Sequence, residues 1–293
     1  MRQGDPGRWF VVVLEGEVAL SRVDGSGWRD LGSAGLGSIV GELSTLTDHP
    51  RQATVIASTD VRVAIGDERA FAILPAVRGV RDRLAGIVGR RLADAVAPVP
   101  TVLQDGTSVV LRPLLARDRD TVDHALALES SESLRLRFFS SGRPSGWMID
   151  HLVDVDYINH FAWALTTVGG VGVGTGRYVR LQDQPETAEL AFFVTEGFRG
   201  RGAATMLLGA LGVAARNAGI TSFTANVLYD NTAMRAVFDK VGARWAHAEP
   251  GVHTASFGVA STEGLLDEGL RQAVTVASHD VVTAAGLALV RDG

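Results

Sequence analysis

The chain has no cysteine among its 293 residues. That absence excludes disulfides, thiolate metal sites and a cysteine nucleophile, and it suits a reducing cytoplasm. Positive charge is also short: 28 lysines and arginines against 33 acidic residues leave a net charge of −5. A nucleic-acid binder driven by phosphate neutralisation needs the opposite balance, although a total leaves room for a local basic pocket. No apolar run approaches the roughly 20 residues of a membrane span. The opening Met1-Arg2-Gln3-Gly4-Asp5-Pro6 is turn-like and lacks the apolar core of a signal peptide. The seven histidines show no metal-ligand spacing, and His151 and His160 read as ordinary packed or exposed side chains. Together these absences predict a cytoplasmic protein that binds no metal, nucleic acid or membrane.

What is present fits an ordinary globular chain long enough for two domains, with 46% hydrophobic and 21% charged residues. Residues 8–66 carry short β-rich runs separated by turn residues, among them Phe10–Leu14, Ser38–Val40, Ala53–Ala57 and Val61–Ile65. Asp24-Gly25-Ser26-Gly27 is a hairpin signal, and such spacing predicts an antiparallel barrel or jelly roll. From Glu68 to Val96 the apolar period becomes helical, through Val77, Val80, Leu84, Ile87, Val88 and Leu92. Pro98-Val99-Pro100 ends that helix and predicts a stiff connector. Beyond it, strands expected at Ser108–Leu111, Phe161–Leu165, Val171–Leu181, Ala188–Val194 and Ser222–Leu228 mix with helices. The helices are expected at Val122–Leu128 (capped by Asp118), Thr205–Ala218 and Ala233–Val241, and Gly169–Gly176 reads as a hairpin connection. The tail from Ser261 places Leu266, Leu270, Val274 and Ala277 on one helical face, so it should dock. The expected fold is α+β: a β-roll with its helix over residues 1–96, a linker over 97–103, a mixed αβ domain over 104–259 and a helical tail over 260–293.

The sharpest constellation is the apolar strand Glu189–Val194, a short loop, the turn Arg199-Gly200-Arg201-Gly202-Ala203-Ala204, and a helix. Unpaired amides and the positive dipole end at a helix start favour an anion, and glycine lets a diphosphate approach the backbone. A glycine-rich turn alone is equally often a tight connection. A Rossmann dinucleotide turn does not fit, because Thr205 stands where the third glycine belongs. Glu189 reads either as a solvated strand-end carboxylate or as a general base; burial at the start of an apolar strand makes a carboxylate a better base. Tyr229 is a weaker candidate for proton donor to a leaving group.

A second informative run is Ser38-Ile39-Val40-Gly41-Glu42-Leu43-Ser44, followed by Pro50-Arg51-Gln52-Ala53. A buried arginine can pair with a single phosphate, a glutamate can accept a ribose hydroxyl proton, and amides beside a glycine add donors. The alternative is a surface Glu42–Arg51 pair on a turn.

Residues 199–204 resemble the diphosphate motif of the GNAT acetyltransferase superfamily, arginine or glutamine, two residues, glycine, one residue, then glycine or alanine. Val110-Leu111-Arg112-Pro113, and Asn231 with Met234-Arg235, Phe238 and Val241-Gly242-Ala243, resemble the beginning and end of that fold. The resemblance implies that amides of Gly200 to Ala204 hold acetyl-CoA, that Phe193 and Val194 pair with pantetheine, that Asn231 contacts the same arm, and that Glu189 is the base. Gly41-Glu42 and Arg51, with Leu43 and Gln52 beside them and Leu14–Val18 upstream, resemble the phosphate-binding cassette of cyclic-nucleotide-binding domains. Such domains begin with a helix and two strands that have no counterpart before Met1, so a sensor shortened at its start is expected.

The two modules in this order, with Asp156–Phe161 agreeing as well, resemble the cAMP-regulated protein lysine acetyltransferases of actinobacteria. The resemblance implies an acetyl-CoA-dependent transfer to lysines of proteins such as acyl-CoA synthetases. It also implies a segment that shields the acetyl site until cAMP binds, placed either in the helix from Leu265 or near His124. A GNAT enzyme acting on a small amine beside a vestigial sensor, and a non-catalytic ligand sensor, remain the alternatives.

Overall fold

The computed structural model describes residues 1–24, 27–47, 50–73 and 80–287, which form two compact units, residues 1–88 with Leu287 and residues 89–286.

The first unit begins with strands β1 (Trp9–Glu15), a valine-rich run that suits a strand, β2 (Val18–Asp24), β3 (Gly27–Ala34) and β4 (Ile39–Val40). A short helix α1 (Glu42–Thr47), strands β5 (Thr54–Ala57) and β6 (Arg62–Asp67), and helix α2 (Glu68–Ile73) follow. They make two three-stranded sheets, ordered β4-β1-β6 and β3-β2-β5. Val11, Val13, Val18, Ala34 and Val40 form the shared core. The expected hairpin is present, with Asp24 opposite Gly27; residues 25 and 26 lie outside the described residues. Within the helical run expected over Glu68–Val96 the described residues form α2 and α3 (Val80–Ala95), and residues 74–79 lie outside the described residues. Val77, and the side chains of Leu84 and Ile87, lie outside the described residues.

The second unit contains an eight-stranded sheet, ordered β13-β14-β12-β11-β10-β9-β8-β7. Its first strand corrects the expected linker: β7 (Val99–Val102) pairs antiparallel with β8 (Ser108–Pro113). Proline has no amide to give a ladder, but at the sheet edge Pro100 faces only one neighbour, so the strand tolerates it. Asp118 precedes α4 (Arg119–Ala127) as expected, but makes no side-chain cap. Its carboxylate instead accepts from both Arg112 Nη atoms at 2.7 and 2.8 Å and from the Leu115 amide at 2.8 Å.

Two helices escaped the sequence pattern, α5 (Ser131–Phe138) and α6 (Gly146–Val153). Both are short, and their clearest signals are the caps: Ser130 accepts from the Ser133 amide and Ser145 from the Met148 amide. They bury Leu134, Ile149 and Leu152 against Leu126 of α4, with Phe193 packed on the cluster.

Strands β9 (His160–Thr167), β10 (Gly172–Arg180) and β11 (Thr187–Val194) continue the sheet. Gly172, Gly174 and Gly176 therefore belong to β10, leaving a turn shorter than the expected 169–176 connection. Helix α7 (Ala203–Asn217), strand β12 (Ser222–Leu228), helix α8 (Thr232–Asp239), and strands β13 (Arg244–Glu249) and β14 (Val252–Gly258) complete the unit before the tail.

That tail opens with a 3-10 segment, Val259–Leu265, and continues as α9 (Glu268–Leu287). Leu266, Val274 and Ala277 are buried, and Leu270 half-buried, as the helical face predicts. Docking depends on a smooth stripe of α7. A Cβ on Gly212 would lie 1.8 Å from Thr262 Oγ1, and one on Gly209 would lie 2.7 Å from Leu266 Cγ.

Candidate active site

Strands β11 and β12 run parallel and pair only at Thr187–Ser222, Ala188–Phe223 and Glu189–Thr224. Beyond Glu189 both strands continue unpaired with each other among the described residues, so the sheet opens into a wedge. Two cavities meet along it. The larger, about 330 Å³, runs beside Phe192, Phe193 and Val194 to Arg199, Gly200 and the α7 residues Ala203 to Thr205, with Asn231, Met234 and Lys240 of the α8 segment opposite. The smaller, about 110 Å³, holds Glu189 and Asn226. Leu136, Arg137, Phe192, Asn231 and Met234 line both.

The glycine turn supplies the anion end of the larger cavity. Gly200 and Gly202 have φ of +70° and +87°, conformations in which a side chain is strained, and Gly202 is the N-cap of α7. The first-turn amides of a helix lack intrahelical partners. None of the backbone bonds described outside helices and strands involves the amides of Gly200, Arg201 or Gly202 as donor. This cradle, at the positive end of a fifteen-residue helix, fits a diphosphate.

The expected site residues divide. Glu189, Phe193, Val194, Arg199, Gly200, Gly202, Ala203, Ala204 and Asn231 all line one or the other cavity. Arg201 does not line either: its guanidinium pairs with Asp105 at 2.9 Å and lies over Phe198. The Arg199 side chain is committed to the fold, donating to the Val194 carbonyl at 3.0 Å, to Ser133 Oγ at 2.9 Å and to Glu129 at 3.2 Å. Asn231 Oδ1 caps α8 by accepting from the Met234 amide at 3.1 Å.

The expectation for Phe193 needs correction by ladder phase. Thr195 donates its amide to the Val173 carbonyl at 3.0 Å, and Phe193 lies opposite Thr175. Antiparallel hydrogen-bonded pairs recur every second residue, so the Phe193 main chain faces β10. Phe192 and Val194 turn theirs toward the wedge, where the Val194 carbonyl already accepts from Arg199. Tyr229 is 65% exposed, packs edge-on against His253 and lines neither cavity. Leu265 and the α9 residues also line neither, and His124 lies on a separate groove beside Gly169–Gly172.

Sequence reading missed the residues around Glu189. Asn226 Nδ2 donates to Glu189 Oε1 at 3.1 Å, and Thr254 Oγ1 donates to Asn226 Oδ1 at 2.8 Å. Asn226 is legible as a polar residue in an apolar strand; Thr254, on β14, is not. Arg137 is half-buried at the junction of the cavities. Burial pushes its guanidinium down to about 10, against the pull of the Glu189 carboxylate. Arg177, on β10, is buried and donates to the Leu152 carbonyl at 2.7 Å; burial and the charge of Arg137 lower it to about 9.

In the first unit, Glu42 and Leu43 begin α1 and are buried with Arg51. Arg51 donates to the Gly41 carbonyl at 2.7 Å and the Trp9 carbonyl at 2.6 Å, with its guanidinium carbon 4.7 Å from the Trp9 ring centroid. Burial lowers its pKa, opposed by Glu42 and Asp5. The Arg51 amide donates to Asp5 and its carbonyl accepts from Gly4, which ties the N-terminal residues to the cassette. Among the described residues Gln52 makes one long bond, to the Pro50 carbonyl at 3.4 Å.

Residues 1–74 match the cyclic nucleotide-binding domain family, and residues 108–244 match the acetyltransferase (GNAT) domain family. Acetyltransferase Pat of Mycolicibacterium smegmatis is 37% identical over 254 residues, 86% of this chain and 76% of the relative. The chain belongs to the Pat acetyltransferase family. A solved cAMP-binding acyltransferase from Mycobacterium smegmatis matches with a TM-score of 0.53 at 32% identity, covering 97% of this chain and 85% of that one. The GNAT domain of S. lividans PAT matches with a TM-score of 0.52 at 31% identity, covering 55% of this chain and 96% of that domain. As a Pat family member the chain is an acyltransferase, with a cyclic-nucleotide-binding domain ahead of its GNAT domain. Among the described residues no helix is long and apolar enough to cross a membrane.

Proposed function

We propose that this Pat family enzyme transfers an acetyl group from acetyl-CoA to lysine side chains of cytoplasmic proteins, acyl-CoA synthetases among them, under control of cAMP bound to the first unit. The observation that carries the reading is the opening of the sheet directly after Glu189, which joins an anion-cradled channel to a carboxylate-lined cavity.

When bound, acetyl-CoA supplies a thioester, an acyl group open to attack by a neutral amine. Gly200, Gly202 and the first amides of α7 hold its diphosphate. The wedge-facing main chain of Phe192 and the Val194 amide meet the pantetheine arm. A lysine amine arrives protonated, since its pKa is roughly 10.4. Glu189 takes that proton, directly or through one water. Asn226 holds the carboxylate in place and is itself held by Thr254. Arg137 at the junction keeps a positive charge beside the carboxylate.

The size of the inner cavity favours a protein substrate over a free small amine. Pockets that enclose a small ligand run to roughly 300–1,000 Å³. The cavity at Glu189 measures about 110 Å³ and its rim includes the exposed Asn226 and Phe139, which suits one side chain entering from a larger surface.

In the first unit, Arg51 pairs with the phosphate of cAMP and Glu42 accepts from the ribose hydroxyl. Control requires that cAMP bind one arrangement of the enzyme more tightly than another.

Acetylation of a purified acyl-CoA synthetase, read by peptide mass spectrometry with and without cAMP, tests the proposal. The expected result is a modified lysine with faster accumulation when cAMP is present. Equal rates would remove the control by cAMP. Acetylation of a small amine with no modified lysine would transfer the case to the small-amine reading.

A further inference from the structure

The chain carries 28 basic side chains, and Lys240 is its single lysine. It follows the last residue of α8 and lines the larger cavity. Its Nζ bonds to Thr205 Oγ1, in the first turn of α7, at 3.3 Å. That partner is neutral. No ion pair among the described residues includes Lys240, and its neighbour Asp239 accepts instead from Trp245 Nε1 at 2.8 Å. The cavity lining contains three cations, Arg137, Arg199 and Lys240, and no carboxylate. Arg199 is committed to Glu129, Ser133 and the Val194 carbonyl, and Arg137 sits at the Glu189 end. Lys240 is therefore the cation left at the helix-start end, where the anionic arm of acyl-CoA belongs. A compact ammonium on a flexible stem suits a phosphate as a point charge.

We propose that Lys240 pairs with a phosphate of bound acyl-CoA, so that acylation of its amine lowers the enzyme's affinity for its own donor. The inference rests on the acyl-CoA reading of this cavity. In the modifying step the neutral Nζ attacks an acyl carbonyl and the bond to the leaving thiolate or carboxylate breaks. Nζ then loses a proton, and an uncharged amide remains. The positive charge facing the phosphate is lost with it.

Because the chain has one lysine, Lys240 and the N-terminal amine are the amines that chemical acetylation modifies, and hydroxylamine afterwards removes any acetyl group from tyrosine. Calorimetric titration of the full chain with CoA and with dephospho-CoA separates the two kinds of phosphate. Lys240→Ala and Lys240→Gln should weaken CoA binding about tenfold and reduce its salt dependence, while Lys240→Arg retains most of it. Acetic anhydride treatment should weaken the wild type equally and leave Lys240→Arg unchanged. A loss seen with CoA and not with dephospho-CoA assigns the pair to the 3′-phosphate; a loss with both assigns it to the diphosphate. Wild-type affinity in Lys240→Ala overturns the inference. A wild-type chain that binds no CoA overturns the reading beneath it.

Discussion

Glu189 stands opposite Thr224 as the last pair between β11 and β12. The carboxylate thus marks the apex of the wedge, one residue before the strands separate. Glu189→Gln should lower kcat by about 10²–10⁴-fold, the usual range for removal of a general base, and leave the KM for acetyl-CoA within about twofold. Steady-state kinetics on a protein substrate give both numbers. An unchanged kcat removes Glu189 from the chemistry.

The neighbouring amide acts through that carboxylate. Asn226→Ala should lower kcat about tenfold with little change in the KM for acetyl-CoA, because it removes orientation and leaves the cofactor channel intact. Thr254→Val should produce a smaller loss of the same kind, since Thr254 fixes the amide from behind. A raised KM at constant kcat would show that Asn226 serves binding.

Gly202 combines a φ of +87° with a crowded surrounding: a Cβ there would lie 2.8 Å from Gln104 Cδ. Gly202→Val should raise the acyl-CoA dissociation constant at least about tenfold, because left-handed backbone costs a substituted residue ~1–2 kcal/mol before any clash. Cyclic-nucleotide binding, measured on the same preparation, should not change.

Arg51 is 4% exposed and satisfies two carbonyls, those of Gly41 and Trp9. Arg51→Ala should abolish the thermal shift given by cAMP and keep the shift given by acetyl-CoA. Leaving buried acceptors without a donor costs about 1–3 kcal/mol, so the first unit should also melt earlier. A full cAMP shift in this variant would exclude a phosphate role for Arg51.

His160 contributes a pH dependence of stability. Burial and the neighbouring Arg177 charge push its imidazole down to about 4. In an unfolded chain it titrates near roughly 6.5. Above the unfolded value both states are neutral and the native contribution is complete. As pH falls toward 4 the unfolded chain takes up a proton that the folded chain refuses, so stability declines. Urea unfolding across this window should show that slope in the wild type and a flatter one in His160→Gln.

Much of the site was legible because the chemistry was local. The turn from Arg199 to Ala204 and the helix behind it are contiguous, so glycine placement and the expected helix start marked an anion cradle before any contact was known. The strand containing Glu189 was likewise readable from its apolar run. Arg201 shows where such reading ends: its place in the motif gave no sign that Asp105, almost a hundred residues away, holds its guanidinium.

The amino-acid order by itself determined the two-module plan, the glycine cradle and the cassette around Arg51, since each rests on neighbours within a few residues. Only the tertiary structure decided that β11 and β12 part after Glu189, that Asn226 and Thr254 support that carboxylate, that Phe193 turns its main chain away, and that Lys240 reaches the channel. The physical reason is that ladder phase and side-chain pairing join residues distant along the chain, and a one-residue change of phase reverses which groups face a cavity.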